Sequence, residues 1–239
     1  MAARYAIYFV PGATSALYRF GASILGYDCY SGRDVAFPDG IELEEWPSIV
    51  REPRVYGFHA TLKAPFRLAD GSDEQALKDV CCAFGRDYLP VKVGTLTVRE
   101  LGSFIALVPK VTCTALDRLA AACVEAFDHL RAPPTRQERD RRLAAGLSLQ
   151  QAENLDRWGY PYVFSDFRFH MTLSGSLDAT RRPTAMQVIC KKFEQRAKNE
   201  AVIVDRIVVS RQADAAEPFQ VLHDVALGHS PYRPYAVSF

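Results

Sequence analysis

Apolar residues recur at two different periods along this chain, and the switches between them outline its elements. Residues 4–10 (RYAIYFV) are aromatic and β-branched and predict a strand. Pro11 and Gly12 break it, and Thr14 can cap a helix running to about Gly26. Residues 27–54 mix Gly, Pro and acidic side chains without a clean period, which predicts a loop holding at most a short strand. Phe58–Lys63 is the next strand. Ser72 opens a helix that places Ala76, Leu77, Val80, Cys81 and Phe84 on one face, and strands follow near 91–98 and 103–108. Beyond Pro109 a helix opened by Thr112 or Thr114 turns Leu116, Leu119, Ala120, Cys123, Val124 and Phe127 inward. A polar, Arg-rich stretch comes next, and Phe167–Ser174 then reads as a strand. A helix beginning at Pro183 carries Ala185, Met186, Ile189, Cys190 and Phe193 as its apolar stripe. Strands near 202–209 and 219–227 close the pattern.

One offset relates the two halves. His170 follows His59 by 111 residues, Pro183 follows Ser72 by 111, and Val202 follows Val91 by 111. The segments FVPGATSALYRF (9–20) and LVPKVTCTALDRL (107–119) also match as strand, Pro, Thr and helix. Generic α+β units resemble one another, but a shared offset for motif, helix and strand points to an internal duplication.

Each half carries one His-x-Thr-Leu, at His59–Leu62 and His170–Leu173. Side chains alternate across a strand, so His59, Thr61 and Lys63 share one face while Phe58, Ala60 and Leu62 share the other. In the second copy Arg168, His170, Thr172 and Ser174 face one way, and Phe167, Phe169, Met171 and Leu173 the other. If a pseudo-twofold axis relates the halves, both polar faces meet across a cleft. Two histidines suit in-line phosphoryl chemistry, because a neutral imidazole can take a proton while an imidazolium gives one to the leaving oxygen. With an ordinary pKa near ~6.5, both forms are accessible at neutral pH. The threonine hydroxyls can stabilise charge on the non-bridging oxygens. A lone His-x-Thr occurs by chance in many chains, whereas two in matched positions are specific. Two His without a Cys or a placed carboxylate make a thin ligand set, and Asp166 and Asp70 have no special spacing. No metal and no cofactor is therefore expected.

Composition narrows the class. The 239 residues can bury a sizeable core, and 49% hydrophobic with 24% charged residues is ordinary globular usage. A net charge of +1 argues against a chain that coats nucleic acid or a membrane. No apolar stretch approaches the ~20 residues of a membrane span. The N-terminus shows no signal-peptide pattern, and the six cysteines show no C-x-x-C spacing, so a cytoplasmic protein with reduced thiols is expected.

FHATL (58–62) and FHMTL (169–173), set in a duplicated α+β chain, resemble the two-histidine (2H) phosphoesterase superfamily, which includes the LigT-like RNA ligase/cyclic phosphodiesterases. The longer strings RYAIYFVP, YGFHATLKAPF, RWGYPYV and FRFHMTLSG resemble its branch encoded beside phosphonate-utilisation genes. The resemblance runs from Arg4 to about Leu177. It implies an α+β, bilobal duplicated fold in which two antiparallel sheets face a central cleft with helices outside. Residues 1–239 would then form a single domain, its lobes built around His59 and His170 and its Arg-rich helical insertion at about 131–162. It further implies a phosphodiester substrate, commonly a 2′,3′- or 1″,2″-cyclic phosphate on ribose, and catalytic roles for His59, Thr61, His170 and Thr172. For the phosphonate branch, a ribose 1,2-cyclic phosphate is the natural candidate.

Further substrate contacts follow from position. Lys63 and Arg168 share faces with the histidines and can neutralise phosphate, or else form the cationic rim of a strand; Ser174 shares the face of His170. Tyr8 lies on a strand that can flank the cleft. Tyr56, Tyr160 and Tyr162 can stack on a base or sugar, although Gly159-Tyr160-Pro161 reads equally as a rigid turn. Residues 131–142 hold five Arg against one Glu and one Asp. Thr135 with Glu138, like Ser148 with Gln151, reads as a capping box, so a solvated helix face is expected there, with a substrate-covering lid as the alternative. His223 alternates with apolar residues and reads as a core histidine, while His129 and His229 suggest no role. The leading expectation is a cyclic phosphodiesterase with a small phosphorylated substrate and no membrane partner. An RNA-end 2′,3′-cyclic phosphodiesterase or ligase, and a non-catalytic phosphometabolite sensor, are the alternatives.

Overall fold

The computed structural model describes residues 3–41, 44–198 and 200–228. The fold is α+β. Its strands are β1 (Arg4–Phe9), β2 (Tyr27–Asp28), β3 (Arg33–Asp34), β4 (Ala60–Phe66), β5 (Val91–Leu101), β6 (Phe104–Pro109), β7 (Met171–Thr172), β8 (Ala201–Val204), β9 (Arg206–Gln212) and β10 (Gln220–Ala226). Its helices among the described residues are α1 (Ala16–Leu25), α2 (Trp46–Arg54), α3 (Glu74–Asp87), α4 (Thr114–Ala126), α5 (Arg136–Leu143), α6 (Leu149–Trp158) and α7 (Arg181–Arg196). None of them is long and apolar enough to cross a membrane.

Eight strands form one antiparallel sheet in the order β10-β9-β1-β4-β7-β6-β5-β8, and β2 and β3 make a separate hairpin. Two facing sheets were expected. They are instead continuous, because β7 pairs with β4 through Ala60 and Met171 on one side and with β6 on the other. Outward from the β4–β7 seam the trios correspond: β4-β1-β9 on one side and β7-β6-β5 on the other. In each trio the middle strand leads into a helix, β1 into α1 and β6 into α4.

Local chemistry sets most boundaries. Ser15, one residue beyond the expected Thr14, caps α1 by accepting from the Tyr18 N–H, and Gly26 ends it in the left-handed conformation at φ 69°. Asp73 caps α3, and both expected capping boxes form, at Thr135/Glu138 and Ser148/Gln151. Residues 46–54 were expected to be loop but form α2. Pro47 and Pro53 obscure its period, yet Trp46, Ile49, Val50 and Pro53 are all buried, and the Trp46 indole N–H donates to the Ile24 carbonyl at 2.9 Å. Packing, rather than propensity, stabilises this helix.

The strands that carry the motifs also differ from expectation. The first begins at Ala60, after Gly57 at φ 72°, so His59 precedes it. The second shrinks from eight residues to Met171–Thr172. The N–H groups of Leu173 and Ser174 both turn to the Ile105 carbonyl, at 2.8 and 3.2 Å, and the chain leaves the ladder there. Beneath the first motif, Phe58 is fully buried against α1, where an added Cβ on Gly21 would lie 2.1 Å from its ring.

Candidate active site

His59 and His170 immediately precede β4 and β7, and each is held in the same way. His59 Nδ1 lies 2.9 Å from the Gly57 carbonyl oxygen, and His170 Nδ1 lies 2.7 Å from that of Arg168. A carbonyl only accepts, so Nδ1 carries the hydrogen in both rings and Nε2 of the neutral form keeps its lone pair. His59 Nε2 is 3.2 Å from Thr61 Oγ1, whose hydroxyl donates to it in this tautomer. The Tyr8 ring stacks on His59, with centroids 3.8 Å apart and planes at 26°, and Phe104 tilts against His170 at 5.7 Å.

Burial, reinforced by repulsion from His170 and opposed by the Gly57 carbonyl, pushes His59 down to about 4. Burial also lowers His170, against the Arg168 carbonyl. Both rings are therefore neutral near pH 7.

The register at the seam crosses the two motifs. Ala60 faces Met171 in an antiparallel pair. Extended by one residue to either side, this pairing sets Thr61 opposite His170 and His59 opposite Thr172. The surrounding cavities follow this pairing. Thr61 and His170 line one of about 530 Å³, together with Arg168, Tyr160 and Tyr162. His59 and Thr172 line another of about 250 Å³, together with Tyr56 and Ser174. Phe104 borders both. Each imidazole thus shares a cavity with the hydroxyl of the other motif.

The remaining expected contacts divide. Arg168 is exposed at the larger cavity, where Tyr162 also stands. Tyr56 borders the smaller one and stacks on Phe219 at 5.4 Å. Tyr8 is buried and its ring stacks on that of His59, which it supports. Ser174 is fully buried, and its hydroxyl is occupied by the Ile105 N–H and the Gly175 carbonyl, both at 2.9 Å.

Lys63 does not share the face of Thr61. Thr61 pairs with Tyr8, but Lys63 pairs with the adjacent Ile7, so β4 carries a bulge that reverses the alternation. Lys63 is buried instead, donating to the Val124 carbonyl at 2.8 Å and to Asp128 at 3.0 Å. Burial lowers its pKa and Asp128 opposes the shift.

Sequence reasoning passed over Phe104, which sits within an ordinary apolar strand. It also passed over Phe164, which lines the larger cavity with a left-handed φ of 53°. No local signal marks either residue. His223 is half-buried, with Nε2 3.4 Å from Cys82 Sγ, and His129 is exposed. His229 lies outside the described residues. All six cysteines are free. Among the described residues, no three His, Cys, Asp or Glu side chains converge as a metal-ligand set.

Residues 61–220 match a family described as a protein of unknown function (DUF1045). The chain is 36% identical over 227 residues to a ribose 1,5-bisphosphate phosphokinase PhnN of Janthinobacterium sp. (strain Marseille), covering 90% of this chain and 49% of that protein. It is 37% identical over 191 residues to the protein of the same name from Laribacter hongkongensis (strain HLHK9), covering 80% of this chain and 44% of that one. The chain therefore spans about half the length of these relatives. A solved phosphoesterase structure overlays on 96% of this chain and 100% of its own, with a TM-score of 0.39 and 13% identity.

Proposed function

The chain belongs to the DUF1045 family, and we propose that it is a metal-independent cyclic phosphodiesterase acting on a ribose-type small molecule. The observation that carries this reading is the crossed arrangement of His59, Thr172, Thr61 and His170 about one strand pair. In this reading a phosphorus held at the seam lies between the two ring nitrogens for in-line displacement, the Thr172 hydroxyl donates to one non-bridging oxygen, and the Thr61 hydroxyl turns from His59 Nε2 to another, which frees that nitrogen.

The unequal cavities support one assignment of the roles. The sugar occupies the larger cavity, against Tyr160 and Tyr162, which puts its ester oxygen beside His170. Water attacks from the smaller cavity beside His59. The water oxygen bonds to phosphorus as its proton passes to His59 Nε2. The phosphorus–sugar oxygen bond breaks, and that oxygen takes a proton from His170 Nε2. The products are a phosphomonoester and a free sugar hydroxyl. A low pKa suits His59 as the neutral base. The negative charge of the bound phosphate raises His170 and favours the protonated acid.

Several features support the wider reading of a single, duplicated, bilobal domain of the two-histidine class. They are the common offset of 111 residues, the corresponding strand trios and the two identically held histidines. The names of the relatives, which specify a phosphorylated ribose, together with the motif strings of the phosphonate branch, favour a ribose phosphate in phosphonate metabolism. The partner is then a small cytoplasmic phosphate ester.

Phosphorus NMR in the presence of EDTA tests this directly. Ribose 1,2-cyclic phosphate, nucleoside 2′,3′-cyclic phosphates and 3′,5′-cyclic nucleotides form the panel. Opening of one ring by the parent, lost by more than about 10³-fold in both His59→Ala and His170→Ala, is the expected result. Full activity in either variant would overturn the two-histidine mechanism.

A further inference from the structure

Five arginines from three parts of the chain surround a third, smaller pocket of about 50 Å³. Arg4 begins β1, Arg67 follows β4, and Arg131, Arg141 and Arg142 come from the Arg-rich insertion. We propose that this pocket binds a compact phosphate-type oxyanion, either free phosphate or a second phosphate group of the substrate.

Charge carries the argument. The wall holds one carboxylate, Glu138, and it is already engaged by Arg67 at 2.6 Å and by the Thr135 N–H at 2.8 Å. Arg131 is paired with Asp128 at 2.9 Å. The other three guanidiniums have no ion pair among the described residues. Arg4 donates to the neutral Gln212 amide at 2.7 Å, and Arg142 lies over the Tyr160 ring at 5.0 Å. Gathering like charges costs energy unless a counter-charge offsets it, and guanidiniums offer paired N–H donors matched to oxyanions. A water molecule needs ~10–15 Å³, so this pocket holds one compact anion and no base or sugar.

The pocket adjoins the site already described. Arg142, which lines the pocket, lies over the ring of Tyr160, which lines the larger cavity, so this stacked pair links the two. The sequence expectation of a plain solvated helix face at residues 131–142 is thus incomplete, since α5 turns Arg141 and Arg142 toward Arg4 and Arg67.

Calorimetric titration of the full chain with inorganic phosphate at low ionic strength tests the proposal, with thermal melts to verify folding. One-to-one binding that persists in His59→Ala/His170→Ala and weakens at least 10-fold in Arg141→Ala/Arg142→Ala is expected. Arg141→Lys/Arg142→Lys, which keeps the charge but not the fork, is expected to fall between. Binding lost in the histidine variant and unchanged in the arginine variant would overturn the proposal, as would no binding to the parent. This readout does not depend on catalysis, so it fails separately from the proposed activity. A second arm identifies the source, by comparing KM for ribose 1,2-cyclic phosphate with and without a 5-phosphate. A preference for the doubly phosphorylated form, abolished in Arg141→Ala/Arg142→Ala, assigns the pocket to the substrate. No preference alongside intact phosphate binding assigns it to free anion.

Discussion

Acid should weaken this fold through His59. Folded His59 titrates at about 4 against an ordinary 6.5, because its imidazole is desolvated against Tyr8 and repelled by His170. Between those values the unfolded chain binds more protons than the folded one. The stability linked to this group is therefore complete above pH 6.5 and is lost as pH falls toward about 4. The full loss is about 3 kcal/mol, of which about 2 kcal/mol has gone by pH 5. His59→Asn keeps a donor for the Gly57 carbonyl but cannot titrate, so it isolates the contribution. Urea unfolding at pH 7.5 and pH 5, followed by tryptophan fluorescence, measures the difference. With an m-value of ~2–3 kcal/mol/M, the parent's midpoint should fall by roughly 0.7–1 M more than the variant's. His170 is shifted in the same direction and is present in both proteins, so it cancels. Parallel behaviour of parent and variant would refute the idea that the half-buried His59 is held as the neutral ring.

Three other outcomes follow from the same geometry. Lys63→Met should turn over within about threefold of the parent and change stability by no more than ~1–2 kcal/mol, since Asp128 keeps Arg131. A 10-fold loss of kcat in a folded Lys63→Met protein would return that lysine to the site. Gly21→Ala should destabilise by roughly 1–3 kcal/mol in chemical unfolding, because the new methyl meets the Phe58 ring, and an unchanged midpoint would contradict this packing. Thr61→Val should lower kcat by about 100-fold with little change in KM in a steady-state assay, and a change confined to KM would mean that its hydroxyl serves binding alone.

The element pattern was legible wherever the cause was local. Thr135 and Ser148 cap their helices as read, and Ser15 and Asp73 do so one residue beyond the Thr14 and Ser72 expected, all through contacts three residues ahead within a single turn. Helix α2 was not legible, because two prolines mask its period and its apolar face is defined by burial against the rest of the fold, as Trp46 reaching the Ile24 carbonyl shows. The second motif strand was overestimated for a related reason. Its alternation continues through Ser174, but the backbone leaves the ladder when two successive N–H groups turn to Ile105.

Within the site, the alternation of polar and apolar positions set His59 with Thr61 and His170 with Thr172, because that relation spans only two residues of sequence. Which hydroxyl shares a cavity with each imidazole depends on the Ala60–Met171 pair, a contact between segments 111 residues apart. The same holds for Lys63, which a bulge opposite Ile7 turns away from the cleft, and for the five arginines, which only the assembled sheet and α5 bring together. Periodicity and capping act between near neighbours and can be read from order alone. Register, bulges and clustered charge depend on the partner segment, and that partner is chosen only when the whole core is buried.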